Sequence, residues 1–269
     1  MSQSFGELTA VARVDVDRFS LRVDERSFIV RGPNGGYVAA VLMRALQERI
    51  ADLDDTYRAP RSMTIHYPAP PRAGDAVVTT EIIRAGRSLV TASARLEQEG
   101  APMSVSIAAF SPAWPGADWH DETRPDVPGP DEIVHGEREC EPLPFTSYWS
   151  YRFARGHVVD SNGPAAVDAW IRLMEPEPIT GPVVTAMTDA FPPAVFARSD
   201  APNPVPTIDL TIHFRTGLPR DGLAPSEWVL GSFRTRTIAE GFLEENGELW
   251  TEDGRLLAQS RQLAIRLPG

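Results

Sequence analysis

Asn34, Gly35 and Gly36 are the first residues of this sequence whose types and order could support chemistry. They open the stretch GPNGGYVAAVLMRALQ (32–47), whose apolar residues have helical spacing and occupy most faces. The first N–H groups of a helix lack internal partners and carry the positive end of its dipole, so they can stabilise an oxygen that gains negative charge. Glycine lets a substrate approach that backbone closely. The pattern predicts substrate binding at these residues, although a tight turn before a buried helix explains the glycines equally well.

Other patterns that could indicate a nucleotide or metal site are explained better in other ways. The glycine-led stretch does not contain the GxGxxG motif of dinucleotide-binding folds. His66 and His213 occupy equivalent positions of an internal repeat, but no HxxxH motif or carboxylate cluster completes a ligand set. Asp118-Trp119-His120-Asp121 lies in a proline-rich stretch that we interpret as a surface tether. We therefore expect no metal site.

The overall composition excludes several classes of function. The 269-residue chain has a net charge of −11 and a pI near 5.0, which disfavours a nucleic-acid or anionic-membrane surface. We expect neither a membrane span nor a signal peptide, because there is no apolar run of about 18 residues and no basic leader. Cys140 is the only cysteine, which excludes a disulfide within the chain and fits a cytoplasmic location. All 26 basic residues are arginine, so Schiff-base and P-loop lysines are absent.

The sequence contains an internal repeat. Thr64-Ile65-His66-Tyr67 recurs as Thr211-Ile212-His213-Phe214, at an offset of 147 residues. In both copies a long connection follows, and then three strand-like segments separated by turns. Alternating apolar and polar residues at 89–96 and 256–263 indicate half-buried strands. The repeat therefore predicts two halves that each contain an antiparallel meander.

A helix-like run precedes the meander in each half. The first, 36–50, is apolar on most faces, whereas the second, 185–196, is interrupted by Pro192-Pro193, which should shorten or kink it. A helix without a polar face fits inside a curled sheet. We therefore predict an α+β fold with two antiparallel sheets, each wrapped around a central helix. The predicted N-terminal unit, proline-rich linker and C-terminal unit are residues 1–114, 115–145 and 146–269.

This strand–helix–meander plan, present twice, resembles the double hot-dog fold of the TesB-like acyl-CoA thioesterases over nearly the whole chain. Four stretches carry the resemblance: Asn34-Gly35-Gly36, Ala186-Met187-Thr188-Asp189, Pro206-Thr207-Ile208-Asp209 and Ser260-Arg261-Gln262-Leu263. The resemblance implies that Asp189 is the catalytic carboxylate that activates water, that Thr207 holds this water, and that Gln262 completes the cluster. It also implies that no cofactor is needed and that double units associate into a homo-oligomer.

These residue types suit the hydrolysis of a thioester. Water attacks the carbonyl carbon, so the site needs a group that takes or orients the water's proton, and donors for the developing oxyanion. Threonine and glutamine side chains both offer donor and acceptor atoms. Because an unperturbed aspartate has a pKa of about 3.9, we expect desolvation to raise that of Asp189. The predicted activity is hydrolysis of a fatty or related acyl-CoA to free acid and coenzyme A.

Two alternatives use the same fold. A hot-dog hydratase or dehydratase needs a paired aspartate and histidine, which neither predicted helix start offers. A non-catalytic module that binds acyl-CoA or an acyl carrier would have no reason to keep Asp189, Thr207 and Gln262 together. The arginines best placed to bind the phosphates of coenzyme A are explained better as solvated surface: Arg58, Arg61, Arg215 and Arg220.

Overall fold

A computed structural model describes residues 3–133, 143–156, 160, 162–198 and 203–268, and Cys140 lies outside these ranges. The α-helices of the described residues are α1 (Phe5–Leu8), α2 (Gly35–Ala51) and α3 (Gly181–Met187). The strands of the first half are β1 (Ala12–Arg13), β2 (Arg18–Val23), β3 (Ala59–His66), β4 (Gly74–Ala85), β5 (Val90–Gln98) and β6 (Ala101–Ser111). Those of the second half are β7 (Trp149–Arg155), β8 (Ala166–Leu173), β9 (Thr207–Phe214), β10 (Val229–Arg234), β11 (Ile238–Ala239), β12 (Phe242–Thr251) and β13 (Leu256–Ile265).

The strands form one continuous antiparallel sheet. Their order is β1-β2-β4-β5-β6-β3-β9-β13-β12-β10-β8-β7, and β11 pairs with β12. The antiparallel character predicted from the sequence is confirmed, but the division into two sheets is not, because β3 pairs with β9. Each half alone would leave a strand edge with unpaired N–H and C=O groups, and this pairing satisfies both edges at once.

The internal repeat lies at the centre of this junction. Thr64 faces Thr211 in register, and their Oγ1 atoms lie 3.0 Å apart. The flanking pairs follow the same offset, with His66 opposite Asp209 and Ser62 opposite His213. The offset of 147 residues relates Ser62 to Asp209 and His66 to His213, so it converts one of these pairs into the other. The repeat therefore marks a local two-fold axis between the halves.

Helix α2 is buried on most of its faces, as its sequence predicts. It packs against α3 and against β4 and β5. Its apolar side chains belong to one hydrophobic core that also contains residues of α3 and of both halves of the sheet. A helix enclosed in this way gives little surface to water, which explains why most of its residues are apolar.

Helix α3 begins before the predicted 185–196 and ends before Pro192-Pro193, so the predicted bounds are wrong although the predicted shortening is found. Pro182 stands in its first turn, where the missing N–H of proline leaves no intrahelical bond unmade. Pro192-Pro193 cannot continue a helix, and a separate 3₁₀ turn follows at Ala194–Arg198. Asp189 consequently lies just beyond the end of a short helix rather than inside a long one.

Part of the predicted linker lies against the outer face of the second half of the sheet, whereas Phe145 at its end belongs to the main core. Val127 and Ile133 pack on a cluster of buried side chains, namely Trp170, Trp228, Leu230, Trp250 and Leu256. The Trp170 indole N–H donates a hydrogen bond to the Pro128 carbonyl oxygen at 2.9 Å. The segment is thus irregular but anchored. Among the residues with described positions, no helix is both long and apolar enough to cross a membrane.

Candidate active site

Asp189 lies at the N-terminus of α2, in contact with the other half of the chain. Its Oδ2 accepts a hydrogen bond from the Gly36 N–H at 2.9 Å. Asn34 Nδ2 donates to the Asp189 carbonyl oxygen at 2.8 Å and lies 3.3 Å from Oδ2. Asn34 is also the N-cap of α2, because its Oδ1 accepts from the Tyr37 N–H at 3.0 Å. The carboxylate therefore meets unpaired N–H groups and the positive end of the helix dipole.

Gly35 and Gly36 are required by the close approach of Asp189 and α3. A Cβ atom on Gly35 would lie 2.8 Å from Asp189 Oδ2, and one on Gly36 would lie 2.6 Å from the Ala186 carbonyl oxygen. The Gly35 carbonyl oxygen accepts a hydrogen bond from Tyr67 Oη at 3.0 Å, which fixes this turn from a third side. The glycines thus do more than make a turn, because they admit the carboxylate and the backbone of the second half.

The surroundings of Asp189 tune its basicity. Burial raises the pKa of Asp189 to about 6, while the N–H groups of Gly36 and Gly35 oppose the rise. Burial also raises the pKa of Tyr67 well above its usual value, and the charge of Asp189 adds to this effect, so Tyr67 stays a neutral donor. Asp189 is partly exposed, which leaves it open to a small molecule. At neutral pH such a carboxylate is ionised and can still accept a proton.

Thr207 and Gln262 meet on the neighbouring strands β9 and β13. Thr207 Oγ1 lies 3.4 Å from Gln262 Oε1, within reach of a long hydrogen bond. A register shift in this ladder places Thr207 opposite Ala264 and Leu210 opposite Gln262. Simple alternation would put Thr207 on the outer face with Asp209. The irregularity turns Thr207 towards the inner face that carries Gln262, as bulges next to sites often do.

A buried carboxylate that the sequence analysis missed lies beside Gln262. Glu245 of β12 pairs with Gln262 in register, and its Oε1 accepts a hydrogen bond from Gln262 Nε2 at 3.2 Å. Its Oε2 accepts from the Ala194 N–H at 2.5 Å and lies 3.5 Å from Thr235 Oγ1. Burial raises the pKa of Glu245 to about 7, and the negative charge of Asp189 contributes to the rise.

The sequence does contain a signal for Glu245. Leu243, Gly247 and Leu249 occupy the same face of β12 and are buried, so an acid between them breaks the alternation of this strand. A carboxylate is seldom buried unless it has partners. An acidic residue at an inward position of a predicted strand therefore indicates a candidate site residue.

The predicted site residues form two hydrogen-bonded groups. Asn34, Gly36 and Asp189 form the first, and Thr207 and Gln262 form the second. Among the described residues no hydrogen bond joins the two groups. They are linked through Glu245, which is bonded to Gln262 of the second group and whose pKa is raised by the charge of Asp189 in the first. Within the same part of the chain, no three potential metal ligands lie close enough together to hold an ion.

Known proteins resemble this chain over nearly its whole length. Residues 23–111 match the acyl-CoA thioesterase N-terminal domain, and residues 112–266 match the acyl-CoA thioesterase C-terminal domain. The thioesterase-like protein TwmA of Talaromyces wortmannii is 23% identical over 99% of this chain and 92% of its own length.

Two solved structures illustrate the likeness of fold. A conserved protein of unknown function with a hot-dog fold from Alicyclobacillus acidocaldarius superposes with a TM-score of 0.90, at 24% identity over 100% of both chains. The acyl-CoA thioesterase II TesB2 of Mycobacterium marinum superposes with a TM-score of 0.78, at 20% identity over 99% of both chains. These superpositions establish the hot-dog fold. The two domain matches establish the family, and the match to the C-terminal domain alone spans more than half of the residues. The chain belongs to the acyl-CoA thioesterase family.

Proposed function

We propose that this protein hydrolyses a fatty or related acyl-CoA to the free acid and coenzyme A, with Asp189 as the base. The observation that carries the proposal is the environment of Asp189, a partly exposed carboxylate that is held by the Gly36 N–H and has a pKa of about 6. Membership of the family supports a thioester as the substrate. The Thr207–Gln262 pair is bonded to Glu245, whose pKa is affected by the charge of Asp189, and it supports a second contact to the attacking water.

The proposed reaction consumes one water molecule. The water lies between Asp189 and the Thr207–Gln262 pair, and its oxygen attacks the carbonyl carbon while one proton passes to Asp189. The tetrahedral intermediate collapses, the C–S bond breaks, and Asp189 returns the proton to the departing sulfur. The products are the carboxylic acid and the thiol, and Asp189 is again ionised.

Of the predicted substrate-binding residues Asn34, Gly35 and Gly36, we assign direct contact with the substrate to Gly35 and support of Asp189 to the other two. The Gly36 N–H orients Asp189, and Asn34 holds the backbone of the same residue. Gly35 is partly exposed and has no side chain, so a thioester can approach its backbone beside the carboxylate.

An apolar cluster next to Thr207 supports an acyl group as the other part of the substrate. The cluster consists of Val195, Leu243 and Ala264, with Phe196 and Val205 packed against it. Ala264 is the residue opposite Thr207 in the sheet. Ligand pockets are lined mainly by apolar side chains around a few polar groups, and this wall would suit a hydrocarbon chain.

The test is release of free thiol from acyl-CoAs of increasing chain length, measured for the wild type, Asp189→Ala and Asp209→Ala. Asp209 is the matched control, because it lies opposite the exposed His66 on the outer face. We expect kcat to fall by about a hundredfold or more in Asp189→Ala, as for loss of a general base, and to stay unchanged in the control. Acyl-pantetheine of the same chain length serves to show whether the nucleotide part of coenzyme A is recognised.

Full turnover in a correctly folded Asp189→Ala variant would contradict the proposed base. Binding of acyl-CoA by the wild type without turnover of any thioester would favour the non-catalytic module instead.

A further inference from the structure

We propose that Glu245 is a positioning residue, which fixes the direction of the Gln262–Thr207 hydrogen-bond chain so that Thr207 accepts a hydrogen bond from the reacting water. The inference rests on the proposed function above and adds to it a residue that does not itself touch the substrate.

When Glu245 is ionised, its contacts allow only one direction for this chain. An ionised carboxylate can only accept, so Gln262 must turn its Nε2 group towards Glu245 Oε1, at 3.2 Å. The amide oxygen of Gln262 then faces Thr207 Oγ1 at 3.4 Å, and a carbonyl oxygen also can only accept. The Thr207 hydroxyl hydrogen is therefore used within the chain, and its lone pairs are left for a water molecule.

This direction suits the activation of water by Asp189. With two acceptors facing it, Asp189 and Thr207, the water donates both of its hydrogens and keeps a lone pair for the carbonyl carbon. If the chain ran the other way, Thr207 would donate to the water oxygen and compete for that lone pair. The orientation of one amide group thus decides whether the threonine assists or opposes the attack.

Glu245 is held firmly enough to impose the orientation. It is only 5% exposed, and its second oxygen accepts from the Ala194 N–H at 2.5 Å and lies near Thr235 Oγ1. These donors keep Oε2 occupied, which leaves Oε1 for Gln262. A buried carboxylate costs free energy unless its bonds are satisfied, and here each bond also fixes the geometry of the next.

The same two strands carry a second Glu–Gln pair, which provides a matched control. Glu248 lies opposite Gln259 in register, and Gln259 Nε2 donates to Glu248 Oε1 at 3.5 Å. This pair is on the other face of the sheet, where Arg215 Nη2 donates to Gln259 Oε1 at 2.6 Å. It has the chemistry of the first pair without the connection to Thr207.

The experiment compares Glu245→Gln with Glu248→Gln. In Glu245→Gln the new amide oxygen remains the acceptor for the Ala194 N–H, so its NH₂ group faces Gln262 and turns that amide around. We expect kcat to fall about tenfold to a hundredfold with KM unchanged, which corresponds to one misdirected hydrogen bond at a charged site. Glu248→Gln should keep kcat within about twofold, and both variants should keep the wild-type circular dichroism spectrum.

An exchange variant provides the second test. In Glu245→Gln/Gln262→Glu the carboxylate at position 262 again accepts from Thr207, and the amide at position 245 donates to it while still accepting from the Ala194 N–H. We expect kcat to recover to within about tenfold of the wild type, even if the single variant fails to fold. An exchange variant that folds with kcat more than a hundredfold below the wild type overturns the inference.

The two proposals fail in different ways. If Asp189→Ala is inactive while Glu245→Gln keeps wild-type kcat, the role of Glu245 is wrong and the proposed function stands. If the wild type hydrolyses no thioester, both are wrong.

Discussion

The corner of the sheet that carries Thr207 and Gln262 has a counterpart in the other half of the molecule. The local two-fold axis relates Thr207 to Pro60, Gln262 to Ala108 and Glu245 to Ala92. Both corners have a register shift next to the first of these positions, so the backbone is irregular in the same way. The counterpart forms the same ladder without a polar side chain at any of the three positions. The fold therefore does not require these polar side chains. Because burying them costs free energy of folding, their presence is better explained by a role in function.

The N-termini of α2 and α3 also differ in their polar groups, as the two corners do. Helix α2 presents the Gly36 N–H to Asp189 and is capped by Asn34. Helix α3 has Pro182 in its first turn, which removes one N–H, and the side chain of its N-cap Thr180 makes no capping hydrogen bond. A helix N-terminus that can hold an anion is thus found beside the polar corner and not beside the apolar one.

The largest effect in this comparison is expected from adding one methyl group at the start of α2. In Gly35→Ala the new Cβ would lie 2.8 Å from Asp189 Oδ2, so the carboxylate must move. We expect kcat for thioester hydrolysis to fall about a hundredfold, since a displacement of about 1 Å can cost that much. Steady-state kinetics with thiol detection measure it.

Gly181→Ala is the control, because Gly181 is the equivalent first residue of α3. Its Cβ would meet the flexible end of Gln47 at 3.1 Å and Pro60 Cγ at 3.3 Å, which requires only small shifts. Its kcat should stay within about threefold of the wild type. Equal losses in both variants would mean that the two helix starts are functionally equivalent, against the comparison.

A smaller effect is expected from Thr207→Val, which replaces the hydroxyl by a methyl group of similar shape. We expect kcat to fall about tenfold to a hundredfold and Thr207→Ser to restore most of it, because the serine hydroxyl can make the same bonds. Thr211→Val is the control on the same strand, since Thr211 contacts Thr64 rather than Gln262. Wild-type kcat in Thr207→Val would remove the threonine from the proposed mechanism.

Many features of the two halves could be predicted from the sequence, because they follow from patterns among neighbouring residues. The repeat around Thr64 and Thr211 marks the two-fold axis, and the apolar run after Gly36 marks the enclosed helix. The raised pKa of Asp189 also follows the prediction from desolvation. Alternation and helical spacing are properties of neighbouring residues, so a single sequence reveals them.

Features that depend on packing between the halves could not be predicted. The bond between Gly36 and Asp189 exists only once α2 and α3 are in contact. The register shift that turns Thr207 inward depends on the pairing of β9 with β13, which no local pattern specifies. The roles of the predicted catalytic and substrate-binding residues stay predictions until the variants are measured.

The pH dependence of kcat offers a test with a smaller expected effect. The pKa values of Asp189 and Glu245 are raised to about 6 and about 7, and both groups act in the ionised form in our proposals. A raised carboxylate pKa moves the loss of activity to higher pH, so kcat should fall as the pH drops through about 7 and more steeply below about 6. The charged groups that raise the pKa of Glu245 are Asp189 and Glu244.

Glu245→Gln removes the upper of these two titrations. The residual activity of this variant should fall by only about a quarter from pH 8 to about 6.5, where that of the wild type has already declined several-fold. The measurement is kcat of both proteins in buffers of constant ionic strength from pH 5 to 9. An acid limb at the same pH in both proteins would show that Glu245 does not titrate with activity.

The smallest effect is expected where the comparison predicts no site. Pro60→Thr installs the hydroxyl of the polar corner at its counterpart, but Ala108 and Ala92 next to it offer no hydrogen-bonding side chain. We expect kcat to change by less than about twofold. In the Asp189→Ala background, Pro60→Thr should restore no turnover, because α3 has no acidic residue in its first turn and has Pro182 in place of an N–H donor. Turnover recovered in that double variant would show that the apolar corner is a second site that one hydroxyl can activate. It would also show that the reaction depends on the backbone geometry shared by the two corners rather than on Asp189.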